Sequence, residues 1–176
     1  MIASALGVAV PGISVREFGQ LMAEIGKERR IVRDYNDLHN LKLSYRIQLQ
    51  EAAAARVEGD TRPVVVVAHL VVRAPEGYVD GLPAGTLHSL RLNGIMLVTC
   101  DPRQVWARRG RVGSPREIES VDVIGAHQRQ VMDRAATIAH REQIPLVNVI
   151  NRDGEFPEAV TIAVDRWRGF ENGTAV

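Results

Sequence analysis

Apolar positions along this chain recur in two rhythms. Short, almost wholly apolar runs (Val64 to Val67 with Leu70 to Val72, Gly94 to Cys100, Leu146 to Ile150) alternate with longer stretches where apolar residues return at helical spacing. A run that is apolar on both pleat faces suits a strand covered on both sides, so the pattern predicts an α/β fold of three layers: a mostly parallel sheet flanked by helices. Ile13 to Val15 adds a β-branched strand, followed by a helix with Phe18, Leu21, Met22 and Ile25 on one stripe. A second helix is expected from about Asp37 to Glu58, carrying Leu38, Leu41, Tyr45, Leu49, Ala52 and Ala53 inward and ending at Gly59.

Further along, Ala84 to Arg91 reads as a short helix. Asp101-Pro102-Arg103-Gln104 combines an aspartate cap, a proline at the first helical position and a glutamine three after the cap, which predicts a helix through about Arg109. Gly110 to Pro115 is too rich in Gly, Ser and Pro to be regular. Ile124 to Ala139 carries a long helical stripe, Asn151-Arg152-Asp153-Gly154 is a turn signal, and a last helix places Ala159, Ile162, Ala163 and Trp167 on one side. Residues 1–168 read as a single domain and 169–176 as a flexible tail.

Ligands of such sheets sit beyond the carboxyl ends of the strands, and the segment after the valine run carries His69, Arg73, Glu76, Tyr78 and Asp80. Two readings stand: a binding element, or an ordinary connection whose glycines supply positive φ. The only basic cluster holds Arg103, Arg108, Arg109, Arg111 and Arg116, five arginines in fourteen residues. Guanidinium forks match phosphate oxygens, so the stretch is either an anion lid at about 109–118 or a solvated helix face.

With 22 basic and 21 acidic side chains the net charge is +1, so no global field draws this chain to nucleic acid or an anionic membrane. RNA binding through residues 103 to 116 is further disfavoured because stacking aromatics are scarce there. No apolar run approaches the roughly 20 residues of a membrane helix. The single cysteine, Cys100, excludes an internal disulfide framework and fits a reducing, cytoplasmic setting. The five histidines lack the close partners a zinc site needs, so no metal ligands are assigned. There is no nucleophile elbow, dinucleotide fingerprint or HExxH.

Several segments resemble, in order, the archaeal-type adenylate kinase family. Ser14 to Met22 is similar to the family's strand-to-helix segment ending in Asn-Phe-Gly, with Phe18 and Gly19 kept and Glu17 in place of the asparagine. His69 stands in its Asp-Thr-His position, Gly77-Tyr78 as Gly-Tyr, and Gly81-Leu82-Pro83 as Gly-Leu-Pro. Asp101-Pro102, Ala107-Arg108-Arg109, Ile118-Glu119-Ser120, His127-Gln128, Met132 to Ala136 and Asn151 to Gly154 continue the match.

The resemblance implies a P-loop-NTPase-like fold and phosphate transfer from MgATP to AMP or another nucleoside monophosphate, with Mg²⁺ entering alongside ATP. It would put Phe18, Gly19, His69, Arg73, Gly77, Tyr78, Gly81 and Leu82 in nucleotide binding, largely on the monophosphate side. Asn151, Arg152 and Gly154 would lie near the ATP base, and Arg108, Arg109 and Arg134 would be the catalytic arginines. The chain departs from the family in four places. It has no G-x-x-x-x-G-K-[ST], so the first strand and the P-loop are missing from it; Ala68 replaces the aspartate ending the central strand; His39 stands for an arginine; and Gly113-Ser114-Pro115 replaces an Asp-Glu-Thr-Arg run.

As it stands the chain is expected to be inactive, and an active phosphotransferase needs a P-loop encoded upstream, with Met1 an internal methionine. The alternative is an inactive nucleotide-binding relative that acts as a binding or homo-oligomerising module.

Overall fold

The computed structural model describes residues 1–74, 77–111 and 119–173, apart from the side chains of His39 and Ala74. Glu76, Gly113-Ser114-Pro115, Arg116, residues 174–176 of the expected tail and the expected lid beyond Arg111 therefore lie outside the described residues. The chain divides into two compact units, one built on Ala3–His69 and Asp80–Leu92, the other on Leu70–Val79 and Asn93–Val176.

The first unit holds α1 (Ile2–Ala9), β1 (Ser14–Glu17), α2 (Phe18–Glu28), α3 (Leu43–Glu58), β2 (Val64–Val67) and α4 (Ala84–Leu90). β1 and β2 pair in parallel, from Ser14 opposite Val64 to Glu17 opposite Val67. Parallel neighbours need a crossover, which α2 and α3 supply. The expected stripe is buried: Phe18, Leu21, Met22 and Ile25 face the core, where a leucine-sized side chain contributes about 1.5–3 kcal/mol. Gly26 lets α2 close on its neighbours, because a Cβ there would lie 2.6 Å from a Val32 methyl.

The second helix does not begin at Asp37. Residues Tyr35–Asn40 form a 3-10 turn and α3 starts only at Leu43. Local polar bonds compete with the helix here: the Asp34 carboxylate accepts the Asn36 N–H at 2.7 Å, and the Asp37 carboxylate accepts the Arg33 N–H at 2.8 Å. Tyr45, expected inward, is exposed on the first turns of α3, while Leu49 and Ala53 are fully buried. Gly59 does cap α3, but at φ −75°, where any residue fits.

The second unit holds β3 (Val71–Ala74), β4 (Gly77–Asp80), β5 (Ile95–Thr99), α5 (Pro102–Arg111), α6 (Val121–Glu142), β6 (Leu146–Ile150) and α7 (Phe156–Glu171). The valine run is thus two strands. β2 stops at Val67, and β3 pairs with β4 instead of extending β2. The Val71 carbonyl also meets His127 Nε2 of α6 at 3.3 Å, so β3 finds its partners within its own unit.

β5 and β6 pair in parallel, from Ile95 opposite Leu146 to Thr99 opposite Ile150, with α5 and α6 as the crossover. Val149 and the small Ala159 and Ala163 let α7 pack closely on β6, with Met96 and Val160 against them. Asp101 caps α5 as expected, accepting the Arg103 N–H at 2.7 Å. Gln104 does not close a capping box; it accepts from the Cys100 thiol and the Asp153 N–H. Two further readings change. Gly110 and Arg111 are still helical, and α7 runs on to Glu171 with Ile162 exposed. Among the described residues no helix is long and apolar enough to cross a membrane.

Candidate functional site

Because β1 and β2 are parallel, as are β5 and β6, the carboxyl ends within each of these two pairs fall together. In the first unit Glu17 opposite Val67 brings Phe18-Gly19 and Ala68-His69 to one end of β1 and β2. Phe18 is only 3% exposed and packs in the core, while His69 is exposed. Gly19 makes room for Tyr35, whose hydroxyl would lie 3.0 Å from a Cβ at that position. The Gly81 carbonyl accepts from Gln50 Nε2 at 2.9 Å, and Leu82 is buried. Gln50 carried no signal in the sequence beyond its place on α3, yet it is 4% exposed with its Oε1 unpartnered among the described residues.

In the second unit Thr99 opposite Ile150 brings Cys100-Asp101 beside Asn151 to Gly154, and the Asn151 N–H donates to the Thr99 carbonyl at 2.8 Å. Arg108 reaches this turn from α5, donating to Asp153 at 2.6 Å and to the Asn151 carbonyl at 2.8 Å. The turn closes on Gly154 at φ +83°, and Arg152 pairs outward with Glu155. Cys100 is buried, and that burial pushes its thiol above the ordinary value.

Arg109, the next residue of α5, points to Glu119. So does Arg73 from β3: its Nη1 donates to Oε1 of Glu119 at 2.8 Å while Arg109 Nη1 donates to Oε2. Burial pulls the Glu119 carboxyl upward, but the guanidiniums of Arg109 and Arg73 outweigh it and hold the group below the usual carboxylate value. Arg134 stands half-buried on α6, a different element from Arg108 and Arg109.

Arg73 also borders a cleft of about 480 Å³ lined by Gly77, Tyr78, Asp122, Val123, Ala126 and Arg129. Tyr78 stacks on His127, ring centres 5.4 Å apart and planes 22° from parallel. Gly77 permits the approach with φ +125°, a conformation that side chains resist. An aromatic platform beside two arginines suits a planar ligand carrying negative charge. Among the described residues no three His, Cys, Asp or Glu side chains cluster as metal ligands.

Comparison with known proteins agrees with this α/β arrangement. Residues 2–125 match the model of a family described as AAA domain, of the P-loop NTPase class. The chain is 30% identical to an adenylate kinase of Methanoculleus marisnigri over 138 residues, covering 76% of this chain and 69% of that protein. It is 29% identical to an adenylate kinase of Thermoplasma acidophilum over 130 residues, 73% and 69% of the two chains. With an adenylate kinase of Methanopyrus kandleri the identity is 28% over 156 residues, 86% and 82% of the two chains. The chain belongs to the adenylate kinase family within that P-loop class.

Proposed function

We propose that this protein is a nucleotide kinase that transfers phosphate from MgATP to AMP or another nucleoside monophosphate. The cleft at Tyr78 takes the acceptor nucleotide. The observation that carries the reading is the stacked Tyr78–His127 pair flanked by Arg73 and Arg129, in a chain whose relatives are adenylate kinases. Phosphoryl transfer needs positioning and neutralisation of charge spread over oxygens, which arginines supply without a side-chain nucleophile. Arg109 and Arg73 serve the phosphates, Arg134 is the third arginine assigned to them, and Arg108 holds the Asn151 to Gly154 turn on the ATP-base side. Mg²⁺ belongs to the MgATP substrate.

A second reading, nucleotide binding without turnover, has its own support. Arg108 and Arg109 are both engaged by carboxylates, neither Val67 nor Ala68, the two residues before His69, is a carboxylate, and the 176 residues contain no G-x-x-x-x-G-K-[ST]. A coupled assay of ADP formation from MgATP with AMP, CMP, UMP or GMP, beside calorimetric titration of each monophosphate, separates the two. ADP formation with one monophosphate supports the kinase. Binding without ADP formation supports the binding module, and absence of binding overturns both.

A further inference from the structure

We propose that Glu119 is a positioning residue that holds Arg73 and Arg109 together as a two-pronged seat for one phosphate group of the nucleotide, an inference that rests on the nucleotide reading above. Arg73 arrives from β3 and Arg109 from α5, 46 and 10 residues from Glu119 in sequence, and each gives the carboxylate one Nη1 donor. A guanidinium has five N–H donors, and among the described residues each arginine is seen giving one of them to Glu119.

Exposure shows where those donors are available. The Glu119 side chain is 24% exposed, against 53% for Arg73 and 42% for Arg109. The carboxylate is the more covered group and the two cations the more open ones. Two guanidiniums drawn this close repel one another unless an anion lies between them. Glu119 supplies that anion and still leaves the group of three with a net charge of +1, open to solvent and suited to a phosphate monoester. Arg73 also lines the cleft beneath Tyr78, so a phosphate seated there would continue from a base or sugar lying on the ring.

The test compares wild type with Glu119→Gln, using calorimetric titration of AMP, adenosine and inorganic phosphate, with thermal melting as a fold control. The amide cannot neutralise two cations. Affinity for AMP and for phosphate should fall about tenfold or more while adenosine binding stays unchanged. Three outcomes overturn the proposal: equal AMP affinity in both proteins, tighter AMP binding in the variant because Glu119 was a competitor, and equal losses for AMP and adenosine because its role was structural. If wild type binds neither AMP nor adenosine, the nucleotide reading fails by itself. Inorganic phosphate then decides this proposal, its loss in the variant supporting it and its unchanged binding, or absence from both proteins, refuting it. Should Glu119→Gln not fold, Arg73→Gln, Arg109→Gln and the double variant replace it. Two arginines on one phosphate predict a double loss smaller than the product of the single losses; independent, multiplying losses overturn the shared seat.

Discussion

The phenol ring of Tyr78 on β4 stacks on the imidazole of His127 on α6, centres 5.4 Å apart and planes 22° from parallel. A ring held against a second ring cannot swing away when a base settles on its outer face, so ordering it on binding costs little. Tyr78→Ala should weaken AMP and adenosine alike, by about tenfold, the scale of one base stacked on one aromatic side chain. Tyr78→Phe should retain most of the affinity, since the ring supplies the contact. Titrations in which Tyr78→Ala binds adenosine like wild type would remove the stack from the site.

Arg108 and Asp153 give a second test. Their bond ties α5 to the turn after β6, but the two side chains are 33% and 40% exposed, so water screens the attraction. A double-mutant cycle with Arg108→Ala and Asp153→Ala should return a coupling of about 0.5–1 kcal/mol in urea denaturation, smaller at high salt. No coupling at low salt would mean that Arg108 does not hold the turn in solution.

Much of the fold could be read along the chain because it depends on local rhythm. The Phe18, Leu21, Met22 and Ile25 stripe, the apolar run at β5 and the Asp101-Pro102 start of α5 each carry their own signal. The misread places depend on groups far apart in sequence or on competing local bonds. Asp34 and Asp37 hold a 3-10 turn where apolar spacing predicts a helix, and β3 leaves the valine run to meet β4 and His127. The site shows the same division. Arginine content singles out residues 103 to 116 as a basic cluster, but no local pattern shows that Glu119 is shared by Arg73 and Arg109, or that Gln50 braces the Gly81 carbonyl.

Gly94 bears on how the second unit is closed. A Cβ at this position would lie 2.6 Å from the Phe170 ring, closer than packed atoms come, so α7 can seat its last turns only against a bare backbone. Gly94→Ala should cost about 1–3 kcal/mol of stability through overpacking. Adding Phe170→Leu should recover part of that loss, because a smaller side chain gives the methyl room. If Gly94→Ala unfolds at the wild-type urea midpoint, Phe170 is not packed on that strand entry.

Asp60 gives the first unit a contact that depends on pH. Its carboxylate accepts from Arg62 through Nε at 3.2 Å and the backbone N–H at 3.2 Å, and from Arg16 Nη2 at 3.0 Å. The Arg62 side chain first, then the Ser14 hydroxyl, the Arg62 backbone and Arg16, hold its pKa far below the ordinary aspartate value. A carboxyl depressed in the folded state binds its proton more readily when unfolded. Its contribution to stability is therefore complete above the unfolded value, about 3.9, and is lost as pH falls towards the folded one. Asp60→Asn should accordingly be less stable than wild type at neutral pH, and the gap should narrow from about pH 5 downward as the wild-type carboxylate is titrated. Urea midpoints of both proteins between neutral and strongly acidic pH measure that gap directly. A gap that stays constant across the range would show that Asp60 acts through shape alone and that its charge contributes nothing to holding β1 beside the entry to β2.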